Sequence, residues 1–262
     1  MKKKITVKYL RESMPEWKKK KDPLLIRLIT RPLSFYISAF LANHGVSANT
    51  VSYFSGYIAI FGACCFLCNL HFMNILGAAF VFIWLILDCV DGNLARSVKS
   101  QPFGEFADAL SSYILIALLI TFIGYAAYNE GGLLVSAGHP WIILLGAIAS
   151  SSDTLMRLIY QKYKNVERDM SDRGIVPAEN DIFRDHSKVG DWKIRFNMEM
   201  GIGSFLTLLI IVASILKWLD IVVIYCAFYY GCSCVGTYVL YVRKAVEKQR
   251  VFQKNMPQPQ ID

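Results

Sequence analysis

Residues 74–96 read NILGAAFVFIWLILDCVDGNLAR. An unbroken apolar run from Ile75 to Leu87 ends abruptly in two acids, Asp88 and Asp91. A helix crossing the ~30 Å hydrocarbon layer needs about twenty predominantly apolar residues, so this stretch reads as a membrane span with carboxylates at its end. Charge inside a span is expensive, and an acid there is a functional hypothesis from the outset.

Working outward, five more segments fit the same template: Val51–Leu70, Phe106–Tyr128, Pro140–Tyr160, Gly201–Leu216 and Ile221–Val242, with Asn74–Leu94 as the second of six. No Asp, Glu, Lys or Arg occurs from Pro32 to Leu87. Ahead of the first span, Pro23–Leu41 is apolar but broken by Arg27 and Arg31, which fits a helix lying in the interface rather than a seventh span. The expected fold is therefore all-α: an integral membrane protein of six transmembrane helices preceded by an amphipathic interfacial helix. The composition agrees. Of 262 residues, 55% are hydrophobic and 18% charged, against about 25% charged in soluble domains. So many apolar residues also exclude a disordered chain.

The formal charge of +8 sits entirely in residues 1–31, which carry eleven Lys or Arg against three acids. A basic chain can point to nucleic acid. Here the cluster runs straight into apolar sequence, the pattern of attraction to anionic cytoplasmic-leaflet lipid, and no nucleic-acid partner is expected. The basic N-terminus, Arg96, Lys99, the loop 161–200 and the tail fall on one side of the membrane. By the positive-inside bias both termini are cytoplasmic. The expected organisation is a basic and interfacial region over 1–45, a six-helix domain over 46–245 containing the polar loop 161–200, and a cytoplasmic tail over 246–262.

Seven cysteines, nearly all in apolar runs, give no disulfide framework. Cys64, Cys65 and Cys68 lack a His or carboxylate at ligand spacing, so this cluster is expected as buried small hydrophobes. No cleavable signal peptide is visible, because the first apolar stretch lies behind a basic segment of about thirty residues.

The chemistry concentrates around the quoted stretch. Asp88 and Asp91, three apart, share a helix face. The third span opens Gly104-Glu105-Phe106-Ala107-Asp108. Two helices joined by a short turn thus bring three acids to one region, hard oxygen ligands suited to Mg²⁺ or Mn²⁺ shared with a substrate phosphate. Gly92, Ala95 and Gly104, each one turn from an acid, leave room for a nucleotide. The structural alternative is a helix-end cluster balanced by Arg96 and Lys99, with small residues for close packing.

The string Asp88-xx-Asp91-Gly92-xx-Ala95-Arg96-x7-Gly104-xxx-Asp108 resembles the signature of the CDP-alcohol phosphotransferase family, DxxDGxxARx8GxxxDxxxD. Ser47-Ala48-Asn49-Thr50-Val51-Ser52 is similar to the family's PN-x-x-T segment, with Ala48 in place of Pro. The resemblance implies that an alcohol or lipid-linked acceptor attacks the β-phosphate of a CDP-linked donor and CMP leaves. It implies that Asp88, Asp91 and Asp108 hold the divalent metals and the diphosphate, while Asn49, Gly92, Ala95, Arg96 and Gly104 line the nucleotide site. Family members are often dimers, so a homodimer is implied as well.

The pattern breaks in two places. The Arg-to-Gly spacing is seven rather than eight. The fourth Asp, which the family uses as a metal ligand and general base, is Ser112 here. Serine is no base near neutral pH and brings no charge to a metal. Three readings follow: another base or an ionised acceptor, an enzyme altered at this residue, or a member that binds its donor without turnover. Asp153, near the cytoplasmic end of the fourth span, is the alternative base, against a local ion pair with Arg157. Glu199 is a weaker one. Arg157, Lys162, Lys164, Lys193 and Arg195 flank the same mouth, either for an acidic acceptor or as positive-inside charge, and His186 reads as solvated. Phospholipid head-group synthesis and surface-glycan decoration both fit. A transporter would scatter its acids at mid-membrane between broken helices.

Overall fold

The structure, a computed structural model, describes residues 4–98, 100–175 and 192–255, and every regular element among them is helical. Short helices α1 (Val7–Glu12) and α2 (Glu16–Lys21) precede α3 (Arg31–Asn43), which grows out of a π-helical turn over Ile26–Thr30. Then come α4 (Ala48–Cys65), α5 (His71–Ser97), α6 (Gly104–Glu130), α7 (Trp141–Asp172), α8 (Trp192–Met200), α9 (Phe205–Leu216) and α10 (Leu219–Asn255).

Five stretches have the length and apolarity to cross a bilayer: α5, α6, α7, residues Arg195–Leu216, and most of α10. The chain is an all-α, multi-pass membrane protein. The first expected span is the exception. It folds as α4, which starts three residues earlier than Val51 and stops five before Leu70. Its opening turns carry Asn49, Thr50, Ser52 and Ser55, and these polar residues keep it out of the apolar set. Ser47 caps it by accepting the Thr50 N–H at 3.2 Å, as Ser at an N-cap does.

Other boundaries also moved. The expected polar loop from residue 161 is helical as far as Asp172, and the tail from 246 is helical to Asn255. Along these extensions α7 and α10 lie side by side. Glu167 is buried between Lys164 and Lys248, and the Tyr163 and Tyr241 rings meet at 4.8 Å. The fifth span is broken at Gly201–Ser204 between α8 and α9. In the interfacial segment, Pro32 has no N–H to continue an α-helix, and the Arg31 N–H bonds back to the Ile26 carbonyl instead. All seven cysteines are free thiols. Cys65 is buried as expected, and so are Cys89 and Cys226, but Cys64 and Cys232 are exposed on helix faces and Cys68 is exposed in the turn after α4.

Glycine sets the helix crossings. A Cβ on Gly77 would stand 2.7 Å from the Phe66 ring and 2.8 Å from the Gly62 carbonyl oxygen, and one on Gly146 would stand 2.7 Å from the Ile120 oxygen. In a bilayer, where apolar side chains gain nothing by leaving lipid, such close backbone approach supplies the packing. The main core lies between α4, α5, α6, α7, α9 and α10.

At one end of the bundle the turns are tied by two acids. Asp220, 1% exposed, accepts the N–H groups of Leu133, Leu134 and Val135. Glu130 accepts from Asn74 at 3.0 Å and pairs with His71 and Lys217. At the other end the N-terminal helices form a collar. Leu10 and Met14 pack on Phe35 and Ala39. Arg31 is 6% exposed and grips Asp22 through Nε at 2.8 Å and Nη2 at 3.1 Å, while Nη1 donates to the Cys89 carbonyl and to Asn93. Arg31 is therefore an internal clamp between collar and α5, not a lipid-facing charge. Burial opposes its charge, and Cys89 and the Asp22 carboxylate more than offset that, so its pKa stands above the ordinary arginine value.

Candidate active site

The clamp fixes the outer face of α5 at Cys89 and Asn93, and the acids occupy neighbouring positions on the same turns. Asp91 is 5% exposed. Its Oδ2 accepts from Ser52 Oγ of α4 at 2.6 Å, a short bond of the kind a charged acceptor makes. The serine belongs to a longer chain. Trp84 Nε1 donates to Ser111 Oγ at 2.8 Å, Ser111 and Ser55 hydroxyls meet at 2.7 Å, and Ser55 donates to the Ser52 carbonyl at 2.8 Å. Each group has one hydrogen to give, so the direction is fixed: Trp84 to Ser111, Ser111 to Ser55, Ser55 to the α4 backbone. This relay locks α4, α5 and α6 in register just behind Asp91.

In front of it opens a cavity of about 600 Å³ between the first turns of α4, the last turns of α5 and the first turns of α6. Asn49, Asp91, Gly92, Ala95, Arg96, Gly104 and Asp108 all line it, as do Ser52, Phe103 and Glu105. Seven of the residues singled out from sequence thus share one cavity. Asp88 stands behind the lining, within hydrogen-bonding reach of Asp108 and in the field of Lys18, Arg31 and Arg96. Asn49 Nδ2 donates to the Pro102 carbonyl at 2.9 Å and so fastens the α5–α6 loop to α4. A Cβ on Gly92 would meet the Arg96 guanidinium at 3.0 Å, so glycine is what lets Arg96 fold back along its helix.

Ser112 and Asp153 are not among the cavity's lining residues. Ser112 is half-buried one residue past Ser111. One turn further along α6, Ile116 borders a pocket of about 10 Å³ that also contains Ser150, Asp153 and Tyr230. Asp153 is fully buried there. Its Oδ2 accepts from Arg157 Nε at 3.2 Å, and its Oδ1 has no hydrogen-bond partner among the described residues. The carboxylate of Glu199 is taken up by the Leu24 N–H, at 3.0 and 3.1 Å. Both of the acids outside the signature therefore have structural partners. His186 and the Lys193 side chain lie outside the described residues.

Three contributors escaped the sequence reading: Ser52 as the partner of Asp91, the Trp84 relay, and the collar cations near Asp88. Ser52 and Ser55, three apart in an apolar helix, are the one signal that pointed there.

The donor chemistry suits a hard cation: neighbouring carboxylates repel unless a proton or a positive ion lies between them, and oxygen ligands of this kind take Mg²⁺ or Mn²⁺. Among the described residues no three His, Cys, Asp or Glu side chains are gathered as a ready ion cage.

No curated protein matches the chain. The model of the CDP-alcohol phosphatidyltransferase family matches residues 46–232, well over half the chain. That match begins one residue before the Ser47 cap, takes in the cavity and every acid around it, and ends within α10. The chain belongs to the CDP-alcohol phosphatidyltransferase family, whose members transfer a phosphate-linked group from a CDP-alcohol to an acceptor.

Proposed function

We propose that this protein transfers a substituted phosphate from a CDP-linked donor to an alcohol or lipid-linked acceptor in phospholipid or surface-glycan synthesis, with the cavity on the cytoplasmic side. The observation that carries the reading is the convergence of Asp91, Asp108, Gly92, Ala95, Arg96, Gly104 and Asn49 on one cavity. Asp88, Asp91 and Asp108 hold one or two Mg²⁺ or Mn²⁺ ions. When bound, the metal polarises the β-phosphoryl group and neutralises the diphosphate.

The chain's own residues do the rest. Ser52 holds Asp91 Oδ2 at 2.6 Å, which fixes the rotamer in which the carboxylate would hold the ion. Gly92, Ala95 and Gly104 keep the walls low enough for the nucleoside, and Arg96 balances its phosphates. The acceptor oxygen then forms a bond to the β-phosphorus, the bond from that phosphorus to CMP breaks, and the acceptor proton must go to a base. Holding both partners in line supplies much of the rate.

With Ser112 where the family has its fourth Asp, the base in this reading is Asp153, which stands outside the cavity in the small pocket that Ile116 borders. A second reading is favoured by Ser112 itself: a member that binds the CDP-linked donor without turning it over. The test is CMP release from a panel of CDP-alcohols in Mn²⁺. Release should vanish on chelation and in Asp91→Asn. Release untouched by either change overturns the metal-site assignment, and donor binding without release from any donor favours the second reading.

A further inference from the structure

We infer that Phe103 is a stacking platform for the cytosine base of the donor, its ring set against the cavity by a left-handed backbone. This rests on the reading of the cavity as the donor site, and adds to it the residue that recognises the base.

Phe103 is the N-cap of α6, with φ 61° and ψ 14°. A bulky side chain there crowds its own carbonyl, so non-glycine residues in this region are uncommon and aromatic ones are outliers. Strain of that kind persists where the surroundings enforce it, and it gathers at ligand sites. The enforcement is visible. The preceding carbonyl, Pro102, is held by Asn49 at 2.9 Å, and the Phe103 carbonyl accepts the Ala107 N–H at 3.0 Å. At the far end of the loop, Ser97 is pinned to α1 by Tyr9 and Ser13.

The fold gains little from the ring in exchange, because Phe103 is 78% exposed. It nevertheless lines the 600 Å³ cavity, together with Gly92 and Ala95, which present almost no side chain. A flat apolar ring in a cavity whose lining also includes small residues and the Arg96 guanidinium is what a planar nucleobase requires. Aromatic stacking is strong enough to matter without further hydrogen bonds.

The experiment is equilibrium titration of the purified full-length protein in nanodiscs with CDP and with inorganic pyrophosphate, both in Mn²⁺. Phe103→Gly removes the ring and also relieves the backbone. Its Tm should therefore equal or exceed that of the parent, while CDP affinity falls about tenfold or more and pyrophosphate affinity stays the same. Phe103→Tyr should keep CDP affinity. Equal CDP affinity in parent and Phe103→Gly overturns the stacking role and leaves the donor site standing, as expected of a ring that merely anchors in the bilayer. An equal loss for CDP and pyrophosphate also overturns it, since the effect is then not on the base. If the parent takes up no CDP in Mn²⁺, the donor reading falls and the platform with it.

Discussion

In the proposed mechanism Ser112 offers a neutral hydroxyl where a carboxylate is expected. A positioned general base is typically worth about 10²–10⁴ in rate, so Ser112→Asp should raise CMP release by at least tenfold, read in a single-turnover assay. A faster serine form would move the base elsewhere, with Asp153→Asn the next variant to measure. Ser52 offers a quieter case. A hydrogen bond to a charged group contributes about 1.5–3 kcal/mol, so Ser52→Ala should weaken Mn²⁺-dependent CDP binding by about tenfold, and Ser52→Thr should restore it. Unchanged titration curves for Ser52→Ala would remove Ser52 from the site. The acids and small residues were legible because their spacing at three and four follows the helix period. Ser52 was not, because its partner is 39 positions away and only the α4–α5 crossing brings the two together.

Among the elements, the collar and the crossings carry separate loads. Arg31→Ala leaves the Asp22 carboxylate buried with one partner fewer and deprives the Cys89 carbonyl and Asn93 of a donor. Breaking a buried pair costs about 3–5 kcal/mol, and thermal denaturation should show a loss on that scale, while Arg27→Ala, on an exposed residue, should show almost none. Gly77→Ala tests the crossings. The added methyl meets Phe66 and the Gly62 carbonyl well inside contact distance, and overpacking costs typically 1–3 kcal/mol. A variant as stable as the parent would mean the α4–α5 seam is looser than its geometry. Sequence placed the spans within a few residues because hydropathy averages over twenty positions. It could not place the π turn before Pro32, nor the extensions of α7 and α10, because charged residues such as Lys164, Glu167 and Lys248 read as loop until their pairing is seen.

For the molecule as a whole, orientation is the largest expectation still open to measurement. The turns tied by Asp220 and Glu130 carry little net charge, and the basic collar lies at the opposite end. A fluorescent-protein fusion at the C-terminus should fluoresce in cells, and alkaline phosphatase inserted at Ala137 should be active. The reverse pattern would invert the whole assignment and put the acid cavity on the outer side. Part of the cationic collar is already engaged within the protein: Lys18 pairs with Asp22 at 3.0 Å and Lys19 with Glu16 at 2.5 Å. The attraction to anionic lipid expected from the sequence is accordingly less than eleven unpaired charges would give.

The long helices carry one more consequence. At 1.5 Å per residue, the 37 residues of α10 measure about 55 Å, and a hydrocarbon layer of about 30 Å leaves roughly 25 Å of it standing clear. Cross-braced to α7 by the buried Glu167 and by Tyr241, that portion is a stiff mast on a chain of 29.7 kDa. A membrane protein of this size normally vanishes inside its detergent belt in electron cryomicroscopy. This one carries its own landmark, a rigid feature outside the belt by which images can be aligned and onto which a binding fragment can be grafted in helical phase.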